Sequence, residues 1–217
     1  MTTKAGFRRA RRPEQKRQRY AAILDAAREL ALREGVGVVS LADIAARVGM
    51  HKSALLKYFE TREEIFLRLA ETEFAEWSAG VLAALSVADR EPHEVADVLA
   101  GSVADRPLLC QLLLFAPLTL ERKVSPDAVR AFKLAMRASM EQVVPALQRA
   151  IPALDAEGCH DLVMTTGVMA AGLWQAAHPS PQVQALYAEN PELAAAPDFR
   201  ESMARFVRTY LRGLMAG

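Results

Sequence analysis

The strongest constraint on the fold is a pair of short helical patterns that meet at Gly49, in the stretch ARVGMHKSALLKYF. The first pattern begins at Ser40, and Asp43 follows at the spacing of a capping box. Its apolar face consists of Leu41, Ile44, Ala45 and Val48. The second pattern predicts a helix from about His51 or Lys52 to Phe59. Helices shorter than about 12 residues are marginal alone in water, so both must pack against a further element.

Longer helical patterns lie on both sides of this pair. The upstream pattern follows Pro13 and ends at Gly35, because glycine takes the left-handed conformation at a helix C-terminus without strain. Its apolar face comprises Tyr20, Ile23, Leu24, Ala27, Leu30 and Ala31. Downstream, residues 61–64 have the pattern of a second capping box and open a helix that continues to about Trp77. Three helices around one small core, with a glycine turn between the last two, predict a helix-turn-helix unit.

The rest of the chain continues as helical patterns and predicts an all-α fold. Candidate helices lie at about 92–103, 105–120, 125–150, 156–176 and 199–215, and a proline-rich connection covers 177–198. Pro117 and Pro145 fall inside patterns and predict kinks or breaks. We therefore predict a flexible basic arm over residues 1–19 that runs into the first helix, a helix-turn-helix domain over 13–62 and a larger helical bundle over 63–217.

Charge is distributed unevenly along the chain, although the net charge is only +1. Residues 1–62 hold 14 lysines and arginines against 6 acidic residues, whereas the remainder holds 13 against 20. This asymmetry points to a polyanionic partner for the basic part. A solubilising tail would carry the same charge, so the assignment depends on the helices that follow the arm.

The second short helix has one face free to enter a major groove of DNA. Ser53, Leu56 and Lys57 cluster on that face, and Leu56 could either touch a thymine methyl or belong to the core. The candidate DNA-contacting residues are Arg8, Arg9, Arg11, Arg12, Ser40, His51, Lys52, Ser53, Leu56, Lys57, Tyr58 and Arg62. A plain helical hairpin with a solvated basic face is the alternative. The glycine turn, the two capping boxes and the basic arm together favour DNA binding.

The stretches ILDAARELALREG (23–35) and SLADIAARVGMHKSALLKYFETREEIF (40–66) resemble the DNA-binding domain of TetR-family transcriptional regulators. The resemblance implies an all-helical fold whose C-terminal part, residues 63–217, binds a small ligand and dimerises. It also implies a repressor that the ligand releases from its operator. The sequence departs from the family pattern at four positions, His51, Ala54, Leu56 and Arg62. The operator sequence is therefore not carried over from relatives.

Bulky apolar residues recur at helical spacings in the C-terminal part, where methionine and tryptophan suit adaptable pockets as well as cores. Together with the resemblance, they predict a cavity for a small, largely apolar effector among the helices at 92–103, 105–120, 125–150 and 156–176. The candidate lining residues are Phe74, Trp77, Leu109, Leu112, Phe115, Phe132, Met136, Met140, Met164 and Trp174. Arg137 and Glu141 are the candidates for a counter-charge to a charged effector.

By the same resemblance, the helices at about 156–176 and 199–215 are predicted to form a homodimer. Small residues in the first of them would allow a partner helix to approach closely: Gly167, Ala170, Ala171 and Gly172. A two-fold dimer would hold two recognition helices about one DNA turn apart and read a palindromic operator in double-stranded DNA.

No pattern predicts an enzyme, a bound metal or a cofactor. His93, His160 and His178 are isolated from other ligand residues, and no glycine-rich phosphate loop is present. Cys110 and Cys159 fit no disulfide framework and predict buried, reduced thiols in a cytoplasmic protein. Neither a signal peptide nor a membrane span is predicted, because the longest apolar stretch is short and interrupted.

Two other functions are compatible with the sequence. One is a ligand-independent regulator, or an activator, with the same DNA-binding head; unchanged melting temperature in a library of apolar compounds would favour it. The other is a helical protein that uses its basic arm on anionic membranes. Sedimentation with anionic vesicles, without preference for any duplex, would favour the second.

Overall fold

The computed structural model describes residues 5–86 and 90–216, and for residues 5–12 it describes the backbone only. All regular structure in those ranges is helical, as predicted. The α-helices are α1 Ala5–Glu34, α2 Leu41–Arg47, α3 Lys52–Leu55, α4 Arg62–Leu85, α5 Pro92–Ala104, α6 Pro107–Leu118, α7 Pro126–Ala150, α8 Ala156–Ala177, α9 Pro181–Glu189 and α10 Phe199–Ala216. Short 3-10 helices cover Leu120–Arg122 and Pro191–Leu193.

Local sequence signals determine the N-terminal head, which we define as α1, α2 and α3. The Ser40 side chain accepts a hydrogen bond from the Asp43 N–H at 3.2 Å, and the Asp43 carboxylate accepts one from the Ser40 N–H at 2.8 Å. These two bonds form the predicted capping box. Gly35 and Gly49 have φ angles of 97° and 65°, so each ends its helix in the left-handed region that favours glycine.

The third helix is shorter than predicted. Regular α-helix covers only residues 52–55, and residues 56–58 form a turn. The Tyr58 N–H bonds to the Leu55 carbonyl at 2.8 Å, three residues back, which tightens the chain as a 3-10 turn does. The tightening brings Phe59 into the core beneath Tyr20, with 4.7 Å between the two ring centroids.

The first helix is longer than predicted. We predicted a flexible arm over residues 1–19, but the backbone is helical from Ala5 and passes through Pro13. The proline removes one N–H donor from the helix, and the helix backbone continues on both sides of it. Residues 1–4 of the predicted arm lie outside the described residues.

Helix α4 connects two apolar cores. Its first half contributes Ile65, Phe66 and Leu69 to the core of the head, and its second half contributes Trp77 and Val81 to the core of the bundle. The head core also includes residues from α6 and α7, namely Leu108, Leu112, Ala116 and Phe132. The head is therefore completed by the bundle rather than closed on its own.

The bundle consists of α4 to α8 and α10. Helix α7 packs along α4, and α10 packs against α5 and α8. Helix α7 continues past Pro145, so of the predicted kink or break there is no break, whereas α6 ends one residue after Pro117. Helix α9 lies within the proline-rich connection of residues 177–198 and has no buried residue.

A membrane span is not supported by any single helix of the described residues, because none is both long enough and apolar enough. Helix α5 and the segment Pro107–Arg122 would together be long and apolar enough for a span, but the chain bends by 79° between them.

Candidate DNA-reading surface and ligand cavity

The exposed side of α2 and α3 carries most of the predicted DNA contacts. The exposed members are Ser40, His51, Lys52, Ser53, Leu56 and Lys57. Leu56 is 44% exposed, so it belongs to this surface and not to the core. The buried side of α3 holds Leu55, which is fully buried and fixes the direction of the exposed side. We call these six residues with Tyr58 the reading surface.

Arg62 does not belong to the reading surface, contrary to our prediction. Its guanidinium donates hydrogen bonds to the carbonyl oxygens of Val36 and Val39 in the α1–α2 loop, residues 35–40. The group also lies 4.6 Å from the centre of the Phe66 ring. Burial lowers the pKa of Arg62 below its ordinary value. The Glu63 carboxylate, 3.5 Å away, offsets only part of this shift. Arg62 therefore binds the loop instead of reaching an adjacent DNA strand.

A polar cleft beside the reading surface contains basic residues that were not among the predicted DNA contacts. Lys16 and Arg19 of α1 line it together with Tyr58, which lies in the turn after α3. Both basic residues are exposed and lie one turn apart on the helix. Their positive charge extends the reading surface toward the N-terminus of α1. The signal was present as KRQR in residues 16–19, but the direction of these side chains depends on the packing of α1 against α2 and α4.

The four predicted arginines of the arm, Arg8, Arg9, Arg11 and Arg12, lie on the helical backbone of α1. Their side chains are outside the described residues. Their role as DNA contacts stays a prediction.

A cavity of about 480 Å³ lies between α4, α6, α7 and α8. Seven of the ten predicted residues line it: Phe74, Trp77, Leu109, Phe132, Met136, Met140 and Met164. Further lining comes from Val103, Leu113, Leu114, Ala116, Pro117, Leu118, Glu121, Lys133, Val163, Thr166, Gly167, Val168, Ala171 and Gly172. The volume is within the range of about 300–1,000 Å³ that is common for small-molecule sites.

The inner wall of the cavity offers hydrocarbon and few free polar atoms. The Trp77 indole N–H donates to the Ser102 hydroxyl at 2.9 Å, and the Thr166 hydroxyl donates to the Leu162 carbonyl at 2.7 Å. Glu121 and Lys133 are the charged residues among the described lining, and they pair with each other at 2.7 Å. A bound molecule would therefore meet apolar surface inside and an ion pair at one edge.

Three of the predicted lining residues lie elsewhere. Leu112 is buried in the core of the head, and Phe115 packs against Gly37 of the α1–α2 loop. Trp174 stacks on His178, with 3.6 Å between the ring centroids. Arg137 and Glu141, the candidate counter-charges, pair with each other on the surface at 2.7 Å. The helical spacing assigned these residues to the correct helices. The direction in which each side chain faces depends on neighbours that are distant in sequence.

Helix α6 contacts both the cavity and the N-terminal head. Leu109 and Leu113 line the cavity, whereas the Gln111 side-chain oxygen accepts a hydrogen bond from the Val36 N–H at 2.8 Å. The Val36 carbonyl accepts from Arg62 of α4, so both polar groups of Val36 are bound by the bundle side of the molecule. A Cβ atom at Gly37 would lie 2.8 Å from the Phe115 ring, which indicates how closely α6 and the loop approach.

A buried acid forms a second connection between the head and the bundle. Glu73 of α4 is 2% exposed and pairs with Arg28 of α1. Its other oxygen lies 3.5 Å from Arg106, which precedes α6 and also contacts Glu76 at 3.2 Å. Removal of one partner from a buried ion pair is strongly destabilising, because the remaining charge is left without compensation.

The faces predicted for dimerisation are partly exposed. Of the small residues on α8, Ala170 is fully buried and Gly167 faces Leu113 inside the protomer. Gly172 is exposed and has open space around it, as has Gly213 of α10. The contact surface offered by α8 is therefore narrower than the sequence predicted.

The two cysteines are free and buried, as expected. Burial raises the pKa of the Cys110 thiol to about 12, and its Sγ–H donates to the Val103 carbonyl at 3.3 Å. Among the described residues, no group of histidine, cysteine and acidic side chains has the arrangement of a metal site.

Two family models match the chain in succession. One, described as bacterial regulatory proteins of the tetR family, matches residues 23–69. The other, described as the C-terminal domain of tetracyclin repressor-like proteins, matches residues 71–217. A search of curated protein sequences found no match.

Solved structures of similar fold include regulators from several bacteria. The TetR-family regulator PfmR from Thermus thermophilus is 19% identical, with a TM-score of 0.59 over 88% of this chain and 98% of that one. FadR from Thermus thermophilus in complex with lauroyl-CoA is 19% identical, with a TM-score of 0.55 over 90% and 94%. FadR from Bacillus subtilis in complex with stearoyl-CoA is 14% identical, with a TM-score of 0.54 over 91% and 98%.

Proposed function

The chain belongs to the TetR family of bacterial transcriptional regulators, and from this premise we propose that it is a homodimeric repressor released from a palindromic operator by a small, largely apolar molecule. The helix-turn-helix head supplies DNA binding, and the cavity in the bundle supplies the effector site. The arrangement of α6, which contacts the cavity on one side and the α1–α2 loop on the other, carries the proposal.

The reading surface has the chemistry that a DNA groove requires. Lys52 and Lys57 provide positive charge for phosphate or base contacts, and the Ser53 hydroxyl can donate or accept. Leu56 is an exposed apolar group of suitable size for a thymine methyl. Lys16 and Arg19, one turn apart on α1, add phosphate-binding capacity beside Tyr58.

In a two-fold dimer, the symmetry of the two heads would correspond to the symmetry of a palindromic operator. Two-fold symmetry would present two identical reading surfaces to half-sites about 34–36 Å apart, which is one turn of DNA. The exposed faces of α8 and α10 are the surfaces that we assign to the dimer, with Phe206 39% exposed and Val168 69% exposed.

The cavity favours an effector with a hydrocarbon part. Because the inner polar groups bond to the protein itself, a polar group deep in the cavity would lose its hydrogen bonds to water without replacement. A polar end would lie near the Glu121–Lys133 pair. Two structures of similar fold hold lauroyl-CoA and stearoyl-CoA, which combine a long hydrocarbon chain with a polar head. We therefore propose fatty acyl compounds as the first effector class to test.

The proposed signal travels through α6. An effector that displaces Leu109 and Leu113 would move Gln111 on the opposite side of the same helix. The hydrogen bond from Val36 and the tight contact of Phe115 with Gly37 would then move the α1–α2 loop and with it α2 and α3. An effect of this kind is a coupling free energy, so the effector and the operator would weaken each other's binding by the same factor.

The test is a titration of the operator with protein in the presence of lauroyl-CoA, lauric acid or coenzyme A without an acyl chain. We expect lauroyl-CoA to weaken operator binding by about 5- to 150-fold, the usual range for coupled sites. Coenzyme A alone should have no effect, because it lacks the hydrocarbon part. Sequence-selective binding that no acyl compound changes would contradict the proposed effector class.

A further inference from the structure

One edge of the cavity is formed by an ion pair instead of hydrocarbon. Glu121, in the 3-10 helix after α6, and Lys133, on α7, both line the cavity and lie 2.7 Å apart. They are the charged residues among the described lining. The Glu121 side chain is 20% exposed and the Lys133 side chain is 51% exposed. A polar head group that lies at this edge would therefore meet both charges at once.

Further contacts hold the two charges at the edge. The Lys133 Nζ lies 5.4 Å from the centre of the Phe132 ring, which is buried and also lines the cavity. Glu121 directly follows Leu120, which is fully buried in the core of the head. The carboxylate is the less exposed of the two groups, so it would lose more than Lys133 if the pair were broken.

The pair treats three kinds of head group differently. A carboxylate would take Lys133 away from Glu121 and leave two negative groups side by side, one of them partly buried. A quaternary ammonium would take Glu121 away from Lys133 and leave two positive groups side by side. An uncharged carbonyl or hydroxyl can accept from the lysine ammonium, which has three N–H donors, while Glu121 keeps another of them.

We infer that the ion pair of Glu121 and Lys133 selects effectors whose head group is uncharged. The inference rests on the effector cavity proposed above and narrows its ligand class. It favours an alcohol, amide, ester or thioester at the end of the hydrocarbon chain that meets the pair. It disfavours a free carboxylate or a quaternary ammonium at the same place.

The experiment compares three ligands with similar hydrocarbon chains and different heads: decanol, decanoate and decyltrimethylammonium. Each displaces N-phenyl-1-naphthylamine, an uncharged apolar fluorophore, from the purified chain at neutral pH. The cavity variants are Glu121→Gln and Lys133→Gln, which keep the shape of each side chain or its polar end and remove one charge. The controls are Glu141→Gln and Arg137→Gln, because that pair is also 2.7 Å long but lies on the surface of α7, outside the described cavity lining.

The informative quantity is the affinity of each charged ligand relative to decanol in the same protein. Decanol alone does not suffice, because any apolar cavity favours the least hydrated ligand. We expect Glu121→Gln to raise the relative affinity of decanoate by about 5-fold, the upper end for one partly exposed ion pair. We expect Lys133→Gln to raise the relative affinity of decyltrimethylammonium by a similar factor. Neither control should change either ratio.

Three results would overturn the inference. One is an unchanged ratio for decanoate in Glu121→Gln together with an unchanged ratio for decyltrimethylammonium in Lys133→Gln. Another is an equal rise in the surface controls, which would assign the effect to net charge. The third is tighter binding of decanoate than of decanol by the wild-type chain. Equal affinity for the uncharged probe shows that each variant retains the cavity, and the two cavity variants test the inference with opposite charges.

These measurements contain no DNA, so they separate the inference from the proposed function. If the ratios do not follow the charges while lauroyl-CoA still weakens operator binding, the effector-controlled regulator stands and head-group selection by the ion pair is lost. If the ratios follow the charges while no acyl compound changes operator binding, head-group selection stands and the proposed effector control is lost.

Discussion

The head and the bundle are built from the same apolar residue types, but they are packed differently. In the head, Ile23, Leu55 and Phe59 are at most 1% exposed and belong to one continuous core. In the bundle, Phe74, Met136 and Met140 face a cavity of about 480 Å³. A filled core holds the reading surface in one conformation, whereas a lined cavity leaves room for a ligand to change the packing.

The two regions also differ in how their structure is determined. Capping boxes and glycines act over three to five residues and determine the head. The bundle depends on contacts between distant segments, such as the hydrogen bond between Gln111 and Val36, which are 75 residues apart. Local sequence signals are therefore least informative about the contacts between the head and the bundle.

The largest expected difference is between truncations in the two regions. Leu55→Ala removes a fully buried side chain from the head core and should lower the free energy of unfolding by about 2–5 kcal/mol. Met164→Ala removes a side chain from the cavity edge, which is 44% exposed, and should change it by no more than about 0.5 kcal/mol. Urea denaturation of both variants measures the difference. Equal losses would contradict the contrast between a filled core and a lined cavity.

The next effect concerns the connection between the regions. Gln111→Ala leaves the buried Val36 N–H without its acceptor and should cost about 1–3 kcal/mol of stability. It should also reduce the effect of lauroyl-CoA on operator binding, because the movement of α6 no longer reaches the loop. Gln142→Ala is the control, since that amide is exposed and bonds only within α7. Undiminished coupling in Gln111→Ala would rule out this contact as the route.

A smaller effect compares helix caps in the two regions. Ser40→Ala removes the cap of α2, and Ser125→Ala removes the cap of α7, whose hydroxyl accepts from the Ala128 N–H at 3.3 Å. Each change should cost about 1 kcal/mol of stability. Only Ser40→Ala should also weaken DNA binding, because α2 supports α3 and because Ser40 itself belongs to the reading surface. Operator titrations of the two variants, made at one temperature at which both are folded, measure the difference. Equal loss of binding would contradict the assignment of α2 and α3 to DNA binding.

The smallest effect on stability is expected at the reading surface. Lys57→Ala should change the free energy of unfolding by no more than about 0.5 kcal/mol, because the side chain is exposed. Its effect is on binding: the slope of log affinity against log salt should fall by about one unit if Lys57 contacts a phosphate. Lys133→Ala, at the cavity edge, should leave the slope unchanged. Loss of affinity for one operator only would instead assign Lys57 to a base.

The sequence was sufficient for the fold class and for the local signals that end α1 and that begin and end α2, whereas α1 begins earlier and α3 ends earlier than predicted. The box of Ser40 with Asp43 and the turn at Gly49 could be predicted because their signals are local. The direction of Arg62 could not, since it depends on carbonyls that the α1–α2 loop presents only after folding. Phe115 and Trp174 lie on cavity helices but face other neighbours, and helical spacing alone does not distinguish those faces.

The most direct test of the central claim is selection of bound duplexes from a random DNA pool at near-physiological salt. The account predicts a palindromic consensus whose half-sites lie about one helical turn apart, because two reading surfaces on a two-fold dimer contact the same groove face. Binding that enriches no sequence and disappears as salt rises would reflect electrostatic attraction alone, and it would contradict the assignment of the chain as an operator-specific regulator.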